Sequence, residues 1–149
     1  MHFRSIICLL AVTTGLLGAC ETTSDGPAPD GLAGTSWQLV KIMSMDDSVH
    51  VPEDPPAYTL ALQADGSAAI RAGCNRGAGS WRSETNNQLK FTPIAATRAL
   101  CPPGSLSDKY LAQFAWVRSY MMKGGHLFLA TKADGAIIEF APSVADRRK

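Results

Sequence analysis

The sequence has no long hydrophobic run, no excess of either charge and little histidine, and each shortage removes a class of protein. Its longest apolar stretch, Ile6 to Leu17, is too short for a spanning helix, which needs about 20 residues. Lys and Arg number 14 against 13 Asp and Glu. No basic excess therefore points to nucleic acid or to an anionic membrane surface. Beyond His2 the only histidines are His50 and His126, and neither sits in an H-E-x-x-H or G-x-S-x-G context. There is no C-x-x-C pair, and the glycine-rich stretch Arg76-Gly77-Ala78-Gly79 lacks the Lys-Ser/Thr ending of a phosphate loop. Asp46, Asp47, Glu53 and Asp54 cluster, but in one proline-bearing loop, where solvation explains them better than a paired-carboxylate site. No nucleophile, base and orienting group stand in a recognisable arrangement, so the expectation is a protein that is not an enzyme, with no cofactor and no metal.

What is present begins at the start of the chain. Arg4, the apolar run and the small residues Gly18-Ala19 before Cys20 have the form of a cleaved export signal over residues 1–19. Leu17-Gly18-Ala19-Cys20 resembles the lipobox of bacterial lipoproteins. That resemblance implies a diacylglycerol on the Cys20 thiol and cleavage before it, chemistry that needs a thiolate. Two or three acyl chains anchor stably, since each buried CH₂ contributes about 0.8 kcal/mol and one chain alone is marginal. Glu21 stands where the inner-membrane retention signal has Asp, so the expected address is the outer membrane, facing the periplasm. Residues 20–33 are rich in Thr, Asp, Gly and Pro and read as a flexible tether. One folded domain is expected over residues 34–142, followed by a basic tail, 143–149, ending Arg147-Arg148-Lys149.

Within the domain the periodicity predicts a strand over Ser36–Met43, with Trp37, Leu39 and Met43 on one face and Val40 and Ile42 on the other. Tyr58–Gln63 and Ser67–Ala72 flank Asp65-Gly66, a strong hairpin signal. Short strands are expected at Ser80–Arg82 and Leu89–Thr92, and the last two at His126–Thr131 and Ala136–Ala141. Tyr110, Phe114, Val117 and Met121 recur at helical spacing, with Ser105 as N-cap, Asp108 in capping-box position and Gly124-Gly125 as the stop. Strands, one helix and strands again predict an α+β fold: a curved antiparallel sheet, or partly open barrel, packed on one amphipathic helix.

Cys74 and Cys101 are the cysteines of the domain. In an oxidising compartment such a pair reads first as a disulfide, whose closed loop contributes about 3.5 kcal/mol in the chain-entropy model. Free thiols, or a redox or metal-binding pair, are the other readings. Asn75 is expected to bond its own backbone and hold the turn into 76–79. The functional alternative is a loop whose N–H groups, beside Arg76 and Arg98, receive an anion. Trp37, Trp81 and Trp116 read as core or rim aromatics.

Gly73-Cys74-Asn75-Arg76, Gly79-Ser80-Trp81 and Thr97-Arg98-Ala99-Leu100-Cys101 together resemble the META domain of the HslJ-like heat-shock protein family. The resemblance runs from Gly34-Thr35-Ser36-Trp37 to the hairpin ending at Phe140. It implies a small envelope or secreted protein, with no enzymatic activity, linked to stress or antibiotic tolerance. The combined expectation is a lipid-anchored envelope protein that works through contacts with a membrane and an envelope protein or a small apolar ligand. A periplasmic binding module for an apolar ligand or a proteinase segment is the alternative.

Overall fold

A computed structural model describes residues 31–84, 87–132 and 135–143. The strands are β1 (Thr35–Ser44), β2 (Val49–His50), β3 (Tyr58–Leu62), β4 (Ser67–Ala72), β5 (Asn75–Glu84), β6 (Gln88–Phe91), β7 (Ala95–Ala96), β8 (Val117–Lys123), β9 (His126–Thr131) and β10 (Ala136–Pro142). One short helix, α1 (Ser107–Gln113), is followed by a 3₁₀ turn, Phe114–Trp116.

The sheet runs β10-β9-β8-β6-β5-β4-β3-β1 and then closes, because β1 also pairs with β10 from Trp37 against Pro142 to Ser44 against Ala136. Eight antiparallel strands thus form a closed barrel, with β2 and β7 attached at its rim. This corrects the expectation of a partly open sheet on an amphipathic helix. Closure joins the first and last long strands, a pairing that no local pattern announces. It also removes the sheet edges that an open arrangement would leave unpaired.

The helix differs as well. The helical spacing predicts one element from Ser105 to Lys123, but α1 spans seven residues and the chain turns at Phe114–Trp116 into β8. Tyr110 and Phe114 are fully buried as expected, and so is Val117, but from a strand, while Met121 is 49 % exposed on the barrel's outer face. Ser105 is not the N-cap: Leu106 occupies that place, and the Ser105 hydroxyl instead accepts from Ser107 N at 3.2 Å. β5 is also far longer than the predicted Ser80–Arg82, because the glycine-rich stretch is strand and not loop.

Two bulges set which side chains face in. Between Leu39 and Lys41 the register of β1 shifts, so Ile42 joins Trp37 and Leu39 in the interior and Met43 turns outward, the reverse of simple alternation. A shift between Val117 and Ser119 does the same in β8 and turns Tyr120 inward beside Val117. The interior is then filled by side chains: Leu60, Leu62, Leu127, Leu129, Ile138 and Phe140 are all fully buried. Each contributes about 1.5–3 kcal/mol by leaving water. Leu32, within the stretch that reads as tether, is also fully buried. α1 plugs the barrel, with the Tyr110 ring edge-on to Phe114 at 5.1 Å and to Tyr58 at 5.9 Å. Outward positions carry Thr59, Arg71, Arg76 and the Lys41–Glu139 ion pair at 3.3 Å. The barrel interior is thus packed with apolar side chains, unlike the polar interior of a transmembrane barrel.

Candidate functional site

The chain between β4 and β5 is a two-residue turn, Gly73-Cys74, with Ala72 opposite Asn75. Gly73 has φ 61, which suits the first position of a type II′ turn. A Cβ there would lie 3.0 Å from the Tyr58 hydroxyl and 3.2 Å from Ser105 Oγ, so glycine suits the tight space as well as the angle. Cys74 is bonded to Cys101, with Cα atoms 5.5 Å apart, and the disulfide ties this turn to the segment that leads into α1.

Asn75 fastens the same segment from inside. It is 1 % exposed. Its Oδ1 accepts from Ala99 N at 2.7 Å and from the Thr97 hydroxyl at 2.9 Å. Its Nδ2 donates to Ala99 O at 3.1 Å and to Ser107 Oγ at 2.9 Å. Thr97 Oγ1 in turn accepts from Arg76 N at 2.9 Å. At the far side Tyr58 OH accepts from Leu106 N at 2.9 Å and bonds Ser105 Oγ at 3.1 Å. The polar residues that the sequence singles out therefore form a latch over one end of the barrel, binding β3, β5, the 97–101 segment and the start of α1. Asn75 does not hold its own turn. It pairs with the backbone of a segment more than twenty residues away.

The anion-loop alternative for 76–79 does not fit this geometry. Those residues pair with β4 on one side, and Gly77 and Ala78 also face β7 on the other. The glycines serve packing: a Cβ on Gly77 would meet Ile94 Cγ2 at 2.7 Å, and one on Gly79 would meet Ile94 Cδ1 at 2.6 Å. Gly77 and Gly79 thus let the 92–94 segment lie directly against the strand.

Arg76 and Arg98 are both exposed, but the structure does not bring them to one site. Arg76 lines a shallow open groove of about 660 Å³ on the barrel's outer face, and Arg98 does not. The partner of Arg76 is Arg71, which sequence reasoning missed: the two lie directly opposite across β4 and β5. The register extends this row to Thr59 on β3. A parallel row, Ala61, Ala69, Ala78 and Ala95, forms the groove floor. The two-residue turn at Gly73-Cys74 was the available signal, because it fixes 71 opposite 76.

A second outward surface is apolar. Ile137 stands opposite Met43, and Met43 opposite Val49, while Met121 stands opposite Phe128. Val49, Met121 and Ile137 are each about half exposed (55 %, 49 % and 45 %). Trp37 and Trp81 are core and Trp116 is exposed. His50 Nε2 lies 2.7 Å from Lys109 Nζ, and His126 Nδ1 lies 2.8 Å from Glu139 Oε1. Among the described residues no group of three or more His, Cys, Asp or Glu side chains is placed to hold a metal ion. Cys20 lies outside the described residues.

A closed eight-stranded antiparallel barrel, plugged by a short helix and latched by a disulfide and a buried asparagine, defines the class of domain. A model of the META domain family matches residues 30–145, so the chain belongs to that family. The fold is shared with several solved structures. A protein from Burkholderia xenovorans, determined by NMR, is 24 % identical with a TM-score of 0.62, over 83 % of this chain and 97 % of that one. A DUF4847 family protein from Bacteroides vulgatus is 14 % identical with a TM-score of 0.54, over 74 % and 93 %. A further NMR structure is 20 % identical with a TM-score of 0.55, over 79 % and 95 %. No curated protein matches.

Proposed function

We propose that this META-domain protein is a non-enzymatic lipoprotein of the bacterial envelope, held to the outer membrane through Cys20 and facing the periplasm. It acts in stress or antibiotic tolerance by contact with an envelope protein. The observation that carries this reading is the fate of the motif Gly73-Cys74-Asn75 and Thr97-Arg98-Ala99-Leu100-Cys101. Asn75, Thr97 and both cysteines are spent on the latch, which leaves the barrel's outer faces as the surfaces that meet other molecules. The apolar strip around Met43, Ile137 and Val49 suits a protein partner. An apolar ligand between helix and strands is not favoured, because Tyr110, Phe114 and Phe140 fill that space. Both described ends leave the barrel opposite the latch, where Gly34 N donates to Leu62 O and Ser143 N to Ser36 O. Attachment at Cys20 would then present the latch end and side faces away from the membrane.

A deletion strain tests the proposal. It should show an envelope-stress or drug-sensitivity phenotype that the wild-type gene rescues. A soluble form, with Cys20 replaced and an ordinary signal peptide, should rescue it poorly. Full rescue by the soluble form would remove anchoring from the account. Turnover that disappears on changing one polar residue would overturn the non-enzymatic reading.

A further inference from the structure

Arg71 and Arg76 place two like charges side by side on the barrel surface. They are directly opposed on neighbouring antiparallel strands, both exposed, and both line the same groove. Like charges directly opposite across a sheet destabilise it, and side chains so placed are within reach of a common ligand. Among the described residues neither guanidinium has an ion pair or a side-chain hydrogen bond, although Lys41, elsewhere on the outer face, is matched by Glu139. The chain has no overall basic excess that would place two arginines together by composition. The ground beside them is concave and low, because Ala69 and Ala78 stand where longer side chains would fill it. Thr59, opposite Arg71, adds a hydroxyl at the margin of the groove.

We propose that the groove between β3, β5 and β7 is a phosphate-binding site in which Arg71 and Arg76 together hold the phosphate group. A guanidinium presents a planar fork of donors that matches two oxygens of one phosphate, and two such forks side by side can hold three or four oxygens without competing. The alanine floor accepts the small organic body of a phosphate ester lying flat against it. A free phosphate and a soluble phosphate monoester offer this set of oxygens, and a phospholipid diester headgroup offers its two non-bridging oxygens, one to each guanidinium. The site is independent of the anchoring proposed above, since it needs only the folded barrel.

The test uses the full chain, purified with detergent present. Inorganic phosphate, glycerol phosphate and a water-soluble short-chain phosphatidylglycerol are titrated into it by calorimetry in the same detergent, with a short-chain diacylglycerol as the phosphate-free control. Arg71→Ala and Arg76→Ala should each weaken binding at least about tenfold, as loss of a charge-assisted contact does. Lys132→Ala, at an exposed cation outside the groove, should leave it unchanged. Both arginine variants should keep the wild-type melting temperature or exceed it, because each removes a repulsion, so a folding failure is not expected. Binding of the two soluble phosphates supports the site and assigns it to free phosphates. Binding confined to the short-chain phosphatidylglycerol, absent with diacylglycerol and lost in both arginine variants, supports it and assigns it to the headgroup. No binding of any probe, or an equal loss with Lys132→Ala, overturns it.

Discussion

Asn75 and Ala99 are joined as two strands are joined, the side-chain amide standing in for a backbone peptide. Oδ1 accepts from Ala99 N at 2.7 Å while Nδ2 donates to Ala99 O at 3.1 Å. The asparagine is buried and Ala99 is exposed, so the exchange is made at the boundary between the interior and water. Removing the amide leaves the Ala99 peptide without these bonds and the buried Ser107 Oγ without this partner, and a buried group left unpaired costs about 1–3 kcal/mol.

Asn75→Ala should therefore lower stability by about 3 kcal/mol, measured by urea denaturation. A loss below about 1 kcal/mol would mean that water replaces the amide and that the latch is not what holds the 97–101 segment.

Breaking the disulfide should cost about 2–4 kcal/mol. Because Cys74–Cys101 and Asn75 secure the same segment, the Asn75→Ala and Cys101→Ser losses should sum to more than the loss of the double variant. Additive losses would show that the two fasten separate parts of the domain.

The packing of Ile94 against Gly77 predicts a compensation. Gly77→Ala should destabilise by about 1–3 kcal/mol through overpacking against Ile94 Cγ2 at 2.7 Å. Adding Ile94→Ala opens that space, so its cost in the Gly77→Ala background should be smaller than in the wild type. Equal costs in the two backgrounds, read from thermal melts, would contradict the contact.

Two core substitutions should act in opposite ways. Phe114→Ala should cost about 3–5 kcal/mol, as truncation of a fully buried Phe does. Tyr110→Phe should cost nothing or stabilise. The Tyr110 hydroxyl is buried with no hydrogen-bond partner among the described residues, and burial pushes its pKa well above that of a free phenol. A marked loss on Tyr110→Phe would reveal a partner for that hydroxyl.

These residues also show how far the sequence could be read. β3, β4, β9 and β10 alternate with period two and were legible within a residue or two. The META motif and the Cys74–Cys101 pair were legible too, because each rests on residue types at specific places. The run Tyr110, Phe114, Val117, Met121 misled, because a helix, a 3₁₀ turn and a bulged strand happened to keep one spacing. Gly77 and Gly79 suggested a loop, since nothing local shows that Ile94 will occupy the space above them. Closure of β1 on β10 and the pairing of Arg71 with Arg76 depend on register, which the hydrophobic pattern fixes only once the bulges and turns are known.

The lipid anchor at Cys20 is the centre of the proposed function, and metabolic labelling with palmitate tests it directly. Wild-type protein recovered from the envelope should carry the label and run as a cleaved form, and Cys20→Ser should abolish the label and leave the uncleaved precursor. Palmitate that persists in Cys20→Ser, or wild-type protein that is cleaved but unlabelled, would contradict the account.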